Sequence, residues 1–155
     1  MKVAGVDLPV SRTAPVVLAL LLVGARLVYM SVSGPFVWED ALISLRYAEN
    51  LLKGDGLAYN PGERVLGTTA PLYVFFLALL RGVSGPAFWR CWTLTSLAFD
   101  AVTAYTMTRL LLRWPALGGA AALFTLFLAM NTVLNDVCIS GMETPLVLML
   151  MSLLA

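Results

Sequence analysis

The chain contains no histidine and only two cysteines, and 12% of its 155 residues are charged. The missing imidazole excludes Ser-His-Asp and Cys-His nucleophile systems, histidine-ligated metals and histidine proton switches together. Cys91 and Cys138 belong to no CxxC pair, so they suggest no zinc or dithiol site, and both read as small apolar core residues. Any acid–base or metal chemistry must therefore rest on carboxylates. A net charge of +1, with no basic stretch carrying interleaved aromatics, offers nothing to a nucleic acid. Soluble domains carry about 25% charged residues. Half that share, with 60% hydrophobic residues and a mean hydropathy of +0.87, predicts an all-α, polytopic membrane protein.

The apolar runs set the expected architecture: a single membrane domain, residues 1–155, with about 3–4 transmembrane helices. Ala14–Val32 approaches the ~20 residues that a span needs. A cleaved signal peptide, with Ser31 and Ser33 near its end, is the rival; the length of the run and Arg26 within it favour an uncleaved anchor. Two placements fit Arg26: snorkelling outward, or facing the bundle interior. Phe88–Leu112 is the second span, with Trp89 and Trp92 as an interface belt at one end and Arg109, Arg113 and Trp114 at the other. Asp100 inside it is either a helix-packing or a functional acid. Ala120–Leu134 is the third span. Pro145–Ala155 opens a fourth that stops about half-way, as in the front part of a longer protein or a truncated reading frame.

Between the first two spans lies the one long polar island, Trp38–Leu72, inside an outer loop 34–87. Gly34-Pro35 ends the first span. Asp40 can cap a helix at Ala41–Lys53. Ala41, Leu45, Ala48 and Leu52 fall in one stripe of that helix, widened by Ile43, Tyr47 and Leu51, with Arg46, Glu49, Asn50 and Lys53 opposite. Such a helix is too short and too charged to span and should lie along the interface. Gly54-Asp55-Gly56 closes it, and Asn60-Pro61-Gly62 and Gly67-Thr68-Thr69 are turns.

Ala70–Leu80 is short for a span and fits an interfacial or re-entrant helix. If it does not cross, Glu39, Asp40 and Glu143 share one face; if it does, Glu143 lands on the other. Counting Lys2, Arg12, Arg109 and Arg113 against Arg46, Lys53, Arg64, Arg81 and Arg90 does not decide between the two, because both topologies divide the basic residues equally unevenly. Segment length favours the shared face.

An acid pair such as Glu39-Asp40 has three uses: deprotonating a hydroxyl, holding a divalent cation beside a phosphate, or favouring a helix N-terminus. Spacing alone favours the last. The run EDALISLRYAENLLKGDGLAYNPGERVLGTTAPLYVFFLALL, starting at Glu39, resembles the first outer loop of bacterial GT-C glycosyltransferases, in particular their arabinofuranosyl- and mannosyltransferase-like members. SGMETPL, Ser140–Leu146, resembles the short second outer loop of the same proteins. The resemblance implies a polytopic enzyme that moves a sugar from a polyprenyl-phosphate donor to a cell-envelope glycan or lipid acceptor on the outer side of the cytoplasmic membrane. It implies Asp40 as catalytic base or metal contact, Glu39 beside it where the family usually has Asp, and Glu143 as the second-loop acid, with Asp40 and Glu143 as the ligands of a divalent cation. Ser140-x-x-Glu143 is equally a capping box. Arg46 and Tyr47 match the family's Arg-Tyr, with Arg46 a partner for the donor phosphate or simply a solvated residue. Asn60, Gly67 and Thr68 match as loop-shaping residues, Asn60 and Thr68 also as substrate contacts.

Family members are longer, so a separate C-terminal half is an implied partner, beside membrane lipid. The rival function is a non-enzymatic remnant or accessory membrane subunit. A small transporter ranks last, because only Arg26 and Asp100 fall near mid-membrane and no broken-helix pair is evident in the sequence.

Overall fold

A computed structural model describes residues 2–3, 6–7, 13–34, 37–63, 65, 67–114 and 118–155. Pro35, Arg12, Arg64 and Pro115 lie outside these. Apart from a short antiparallel pairing of β1 (Lys2–Val3) with β2 (Val6–Asp7), the architecture is helical. Its helices are α1 (Ala14–Ser33), α2 (Glu39–Lys53), α3 (Pro71–Ser84), α4 (Phe88–Leu111), α5 (Gly118–Met130), α6 (Thr132–Ile139) and α7 (Thr144–Leu154). Two helical stretches, Ala14–Ser33 and Pro71–Leu111, are long and apolar enough to cross a membrane, and a third qualifies if α5 and α6 count as one bent span. Their outer surfaces expose large apolar side chains, among them Leu20, Leu21, Val28, Leu94 and Leu123. That surface is consistent with a helical membrane protein.

The long helices alternate in direction. The end of α1 (Met30) and the start of α4 (Trp89, Trp92) line one cavity, while Ala19 and Leu22 of α1 pack with Ala104 and Tyr105 further along α4. The α5–α6 unit returns, and α7 runs down beside α4, where the Thr106 and Ser152 hydroxyls meet at 2.7 Å. The polar island and residues 139–143 therefore sit at the same end of the bundle.

Pro71–Leu111 is helical throughout, but it is not straight. Phe76 and Phe99 would be about 35 Å apart on one straight helix; their ring centroids are 5.5 Å apart. The chain folds back at the 3-10 turn Gly85–Ala87, where Gly85 has φ +50°. Contacts from both ends of α3 reach the first turns of α4. The Trp92 indole N–H donates to the Tyr73 hydroxyl at 2.7 Å, and the Arg81 guanidinium lies 5.1 Å from the centre of the Phe88 ring. The helix runs on through Gly82 to Ser84 rather than stopping at Leu80, and ends at Gly85.

Several expectations are corrected. Asp40 does not cap α2: Trp38 is the N-cap, and Glu39 and Asp40 lie in the first turn. Asn50 is buried and Leu52 is exposed, the reverse of the helical-wheel reading. The cause is the strap after Gly54, which folds back along α2 and covers Asn50; its amide donates to the carbonyls of Ala58 and Tyr59, both at 2.8 Å. The expected closure at Gly54 is present, with φ +90° in the left-handed region. Ala120–Leu134 is not one straight helix: the axis bends by 69° between α5 and α6. Asn131 makes the break, its side chain accepting from the Leu134 N–H at 3.0 Å and so capping α6. The Ser140–Glu143 capping box is not formed. Ser140 ends α6 and Glu143, at the N-cap of α7, makes no side-chain cap bond. Trp92 is a core residue rather than part of a belt; Trp89 is exposed.

Candidate functional site

Asp40 and Glu143 line a single cavity of about 350 Å³ with Ile43, Ser44, Gly67, Thr68, Thr69 and Met142. Three segments build it. The first two turns of α2 supply Asp40 and Ser44, the strap supplies Gly67–Thr69, and the loop between α6 and α7 supplies Met142 and Glu143.

Each segment is fixed by identifiable contacts. Tyr47 is buried in α2, and its hydroxyl donates to the Val65 carbonyl at 3.1 Å and accepts from the Gly67 N–H at 2.8 Å. A Cβ on Gly67 would lie 3.0 Å from that hydroxyl, so the strap comes as close to α2 as glycine permits. The second loop is held from below. Tyr73 donates to the Gly141 carbonyl at 2.8 Å while accepting from Trp92, and the Trp38 N–H donates to the Ser140 carbonyl at 3.2 Å. Gly141 has φ +88°, and a Cβ there would sit 2.4 Å from the Trp92 ring. Neither carboxylate of the cavity is ion-paired or hydrogen-bonded among the described residues. Both are accessible to a ligand.

Of the residues singled out by sequence, Asp40, Thr68 and Glu143 are brought together. Glu39 is exposed in the same turn but does not line the cavity. Arg46 is exposed and donates to the Tyr59 carbonyl at 3.4 Å, along the strap and away from the cavity. Tyr47 anchors the strap and does not line the cavity. Asn60 is exposed and donates to Glu63 at 3.0 Å across its turn. Ser44, Thr69 and Met142 were not singled out. Ser44 and Thr69 lie within one turn or one residue of residues that were, which is the only signal the sequence offered.

A second polar cluster is buried mid-bundle. Arg26 is 1% exposed, so it does not snorkel. Its Nε donates to Asp100 Oδ2 at 3.0 Å, and its Nη1 donates to Asn135 Oδ1. Asn135 in turn donates to the Ala129 carbonyl, freed by the helix break, at 2.9 Å. The sequence offered opposite charges in two antiparallel runs, but not the asparagine that joins them. The broken helix that a transporter reading lacked is thus present, yet the charged groups beside it are bonded to each other.

Among the described residues no group of three or more His, Cys, Asp or Glu side chains could hold a metal ion. The cavity's donors are two carboxylates and hydroxyls, all oxygen. This set suits a hard divalent cation, which is commonly held by one or two carboxylates plus substrate phosphates.

No protein-family model matches this chain, and no match was found among curated proteins or solved structures.

Proposed function

We propose that this chain is a multi-pass membrane protein carrying the acid-bearing part of a GT-C-type glycosyltransferase. It would transfer a sugar from a polyprenyl-phosphate donor to a cell-envelope acceptor at the outer face of the cytoplasmic membrane. The observation that supports this best is the meeting of Asp40 and Glu143 in one open cavity with Thr68, from two loops far apart in sequence.

Asp40 takes the proton of an acceptor hydroxyl, whose oxygen attacks the anomeric carbon. The bond from that carbon to the donor phosphate oxygen breaks, the configuration inverts, and polyprenyl phosphate leaves with the bonding pair. Glu143 orients the acceptor from across the cavity, and the Thr68 hydroxyl offers a hydrogen bond to the sugar. A divalent cation bound by Asp40 and Glu143 would neutralise charge on the departing phosphate.

The test is transfer from a polyprenyl-phosphate sugar in membranes containing this chain, with and without Asp40→Asn. Positioned acid–base groups contribute about 10²–10⁴-fold. A loss of that size at unchanged expression is expected, and full activity in the variant removes Asp40 from the mechanism. Labelling of a Glu63→Cys variant from outside intact cells checks the face; labelling only after the membrane is opened contradicts it.

An accessory, non-enzymatic subunit is the second reading. It is favoured by Arg46, Tyr47 and Asn60 making contacts along the strap instead of facing the cavity. Binding of the donor without any transfer by the wild-type chain would select it.

A further inference from the structure

At the opposite end of the bundle, a groove of about 220 Å³ between α4 and α7 is lined by Tyr105, Thr106, Arg109, Arg113, Ser152 and Leu153, among others. From this groove we infer a binding site for the phosphate of an anionic lipid headgroup.

Arg109 stands in the last turn of α4 and Arg113 two residues past its end, and both line the groove. Neither guanidinium is ion-paired among the described residues. Arg109 is aimed by Tyr105: its Nη1 donates to the Tyr105 hydroxyl at 3.4 Å, and its guanidinium carbon lies 5.7 Å from the ring centre. Below the two arginines, the Thr106 and Ser152 hydroxyls are hydrogen-bonded to each other. The groove thus offers two guanidinium forks, the donors that fit a phosphate ester, above hydroxyls whose own protons go to each other and to the backbone carbonyls of Val102 and Met149. Its volume equals about seven waters, enough for that group.

Depth identifies the source of the phosphate. Arg109 lies about 30 Å along α4 from Phe88, which matches the thickness of a bilayer's hydrocarbon core. Trp114 just beyond it is exposed, as are Leu153 and Leu154 on α7. An interfacial tryptophan, apolar walls and two unpaired arginines at that level describe a headgroup position rather than a pocket for a free anion.

Native mass spectrometry of the detergent-purified chain, titrated with phosphatidylglycerol and with phosphatidylcholine, tests the inference. One phosphatidylglycerol should bind in preference to phosphatidylcholine. Each arginine near a headgroup contributes about fivefold. Arg113→Gln, which alters a side chain with no ion pair among the described residues, should weaken phosphatidylglycerol binding about fivefold. The Arg109→Gln/Arg113→Gln double variant should abolish the preference, and Arg90→Gln at the other end should leave it intact. Equal affinity for the two lipids, or a preference that survives the double variant, overturns the site. Displacement of phosphatidylglycerol by inorganic phosphate at comparable concentration makes a free anion the ligand and overturns the lipid assignment.

Discussion

Arg26, Asp100 and Asn135 are sealed inside the bundle and bonded to one another, whereas Asp40 and Glu143 face a cavity with no ion-pair or hydrogen-bond partner among the described residues. Both clusters join segments far apart in the chain, but they solve opposite problems. A charge in an apolar interior is tolerated only if its neighbours satisfy it, and a satisfied group has little left for a ligand. A carboxylate meant to meet a substrate must stay unsatisfied, so it belongs at the bundle end and must be held there by other residues. In this chain Tyr47, Tyr73, Trp92 and Gly141 hold the segments. Charge alone is therefore a poor guide to function here; the bonding state of each charge separates the two roles.

Five substitutions, ordered by expected loss of stability, can break or sharpen this contrast. Removing one member of the sealed pair leaves an uncompensated buried charge, so Arg26→Met or Asp100→Leu should each cost about 3–5 kcal/mol. Unfolding of the purified protein in detergent measures this, and the Arg26→Met/Asp100→Leu double variant should recover most of the loss. Equal damage from single and double variants would contradict the pairing. Next comes Gly141→Ala, which combines a positive φ with overlap on Trp92, at about 2–4 kcal/mol; it should also reduce transfer, because Glu143 follows two residues later. Tyr73→Phe strands a buried carbonyl and an indole N–H at about 1–3 kcal/mol, read from the same unfolding curves. Last is Asp40→Asn. It removes only a favourable charge in the first turn of α2, under about 1 kcal/mol, yet the proposed mechanism gives it the largest effect on transfer. A large stability loss for Asp40→Asn would place that residue with the sealed group.

Most helices are legible in the sequence, because apolar runs and glycine or proline breaks are local signals. Ala14–Ser33 and Phe88–Leu111 were found within a residue, and the shared end of Asp40 and Glu143 was inferred from the shortness of the run after Ala70. Some misses are local, such as the N-cap at Trp38 in place of Asp40; the others are tertiary. The wheel assigned Asn50 to solvent because nothing local says that the strap will lie over it and need its amide. Arg26 and Asp100 were each recognised as costly, but periodicity cannot say that two costly groups are neighbours. The break at Asn131 was missed because its run reads as continuously apolar, and one asparagine is a weak signal until its capping geometry is seen. Within the candidate site, the acids were visible as an exception to the apolar pattern, while Ser44 and Thr69 resembled any other small polar residue.

The sealed pair also sets a schedule. Arg26 and Asp100 are 74 residues apart, and Asn135 is 109 residues beyond Arg26. At a synthesis rate of about 5–20 residues per second, the arginine waits about 4–15 s for its acid and longer for its asparagine. Under the bilayer placement proposed above, α1 would spend that interval with an unmatched cation, a penalty of about 2.5–3.5 kcal/mol for a helix inserting alone. The nascent α1 should therefore be held at the insertion machinery, or ride shallow in the membrane, until α4 emerges. Ribosome-stalled chains ending before and after Asp100 should differ in how readily α1 is released into lipid.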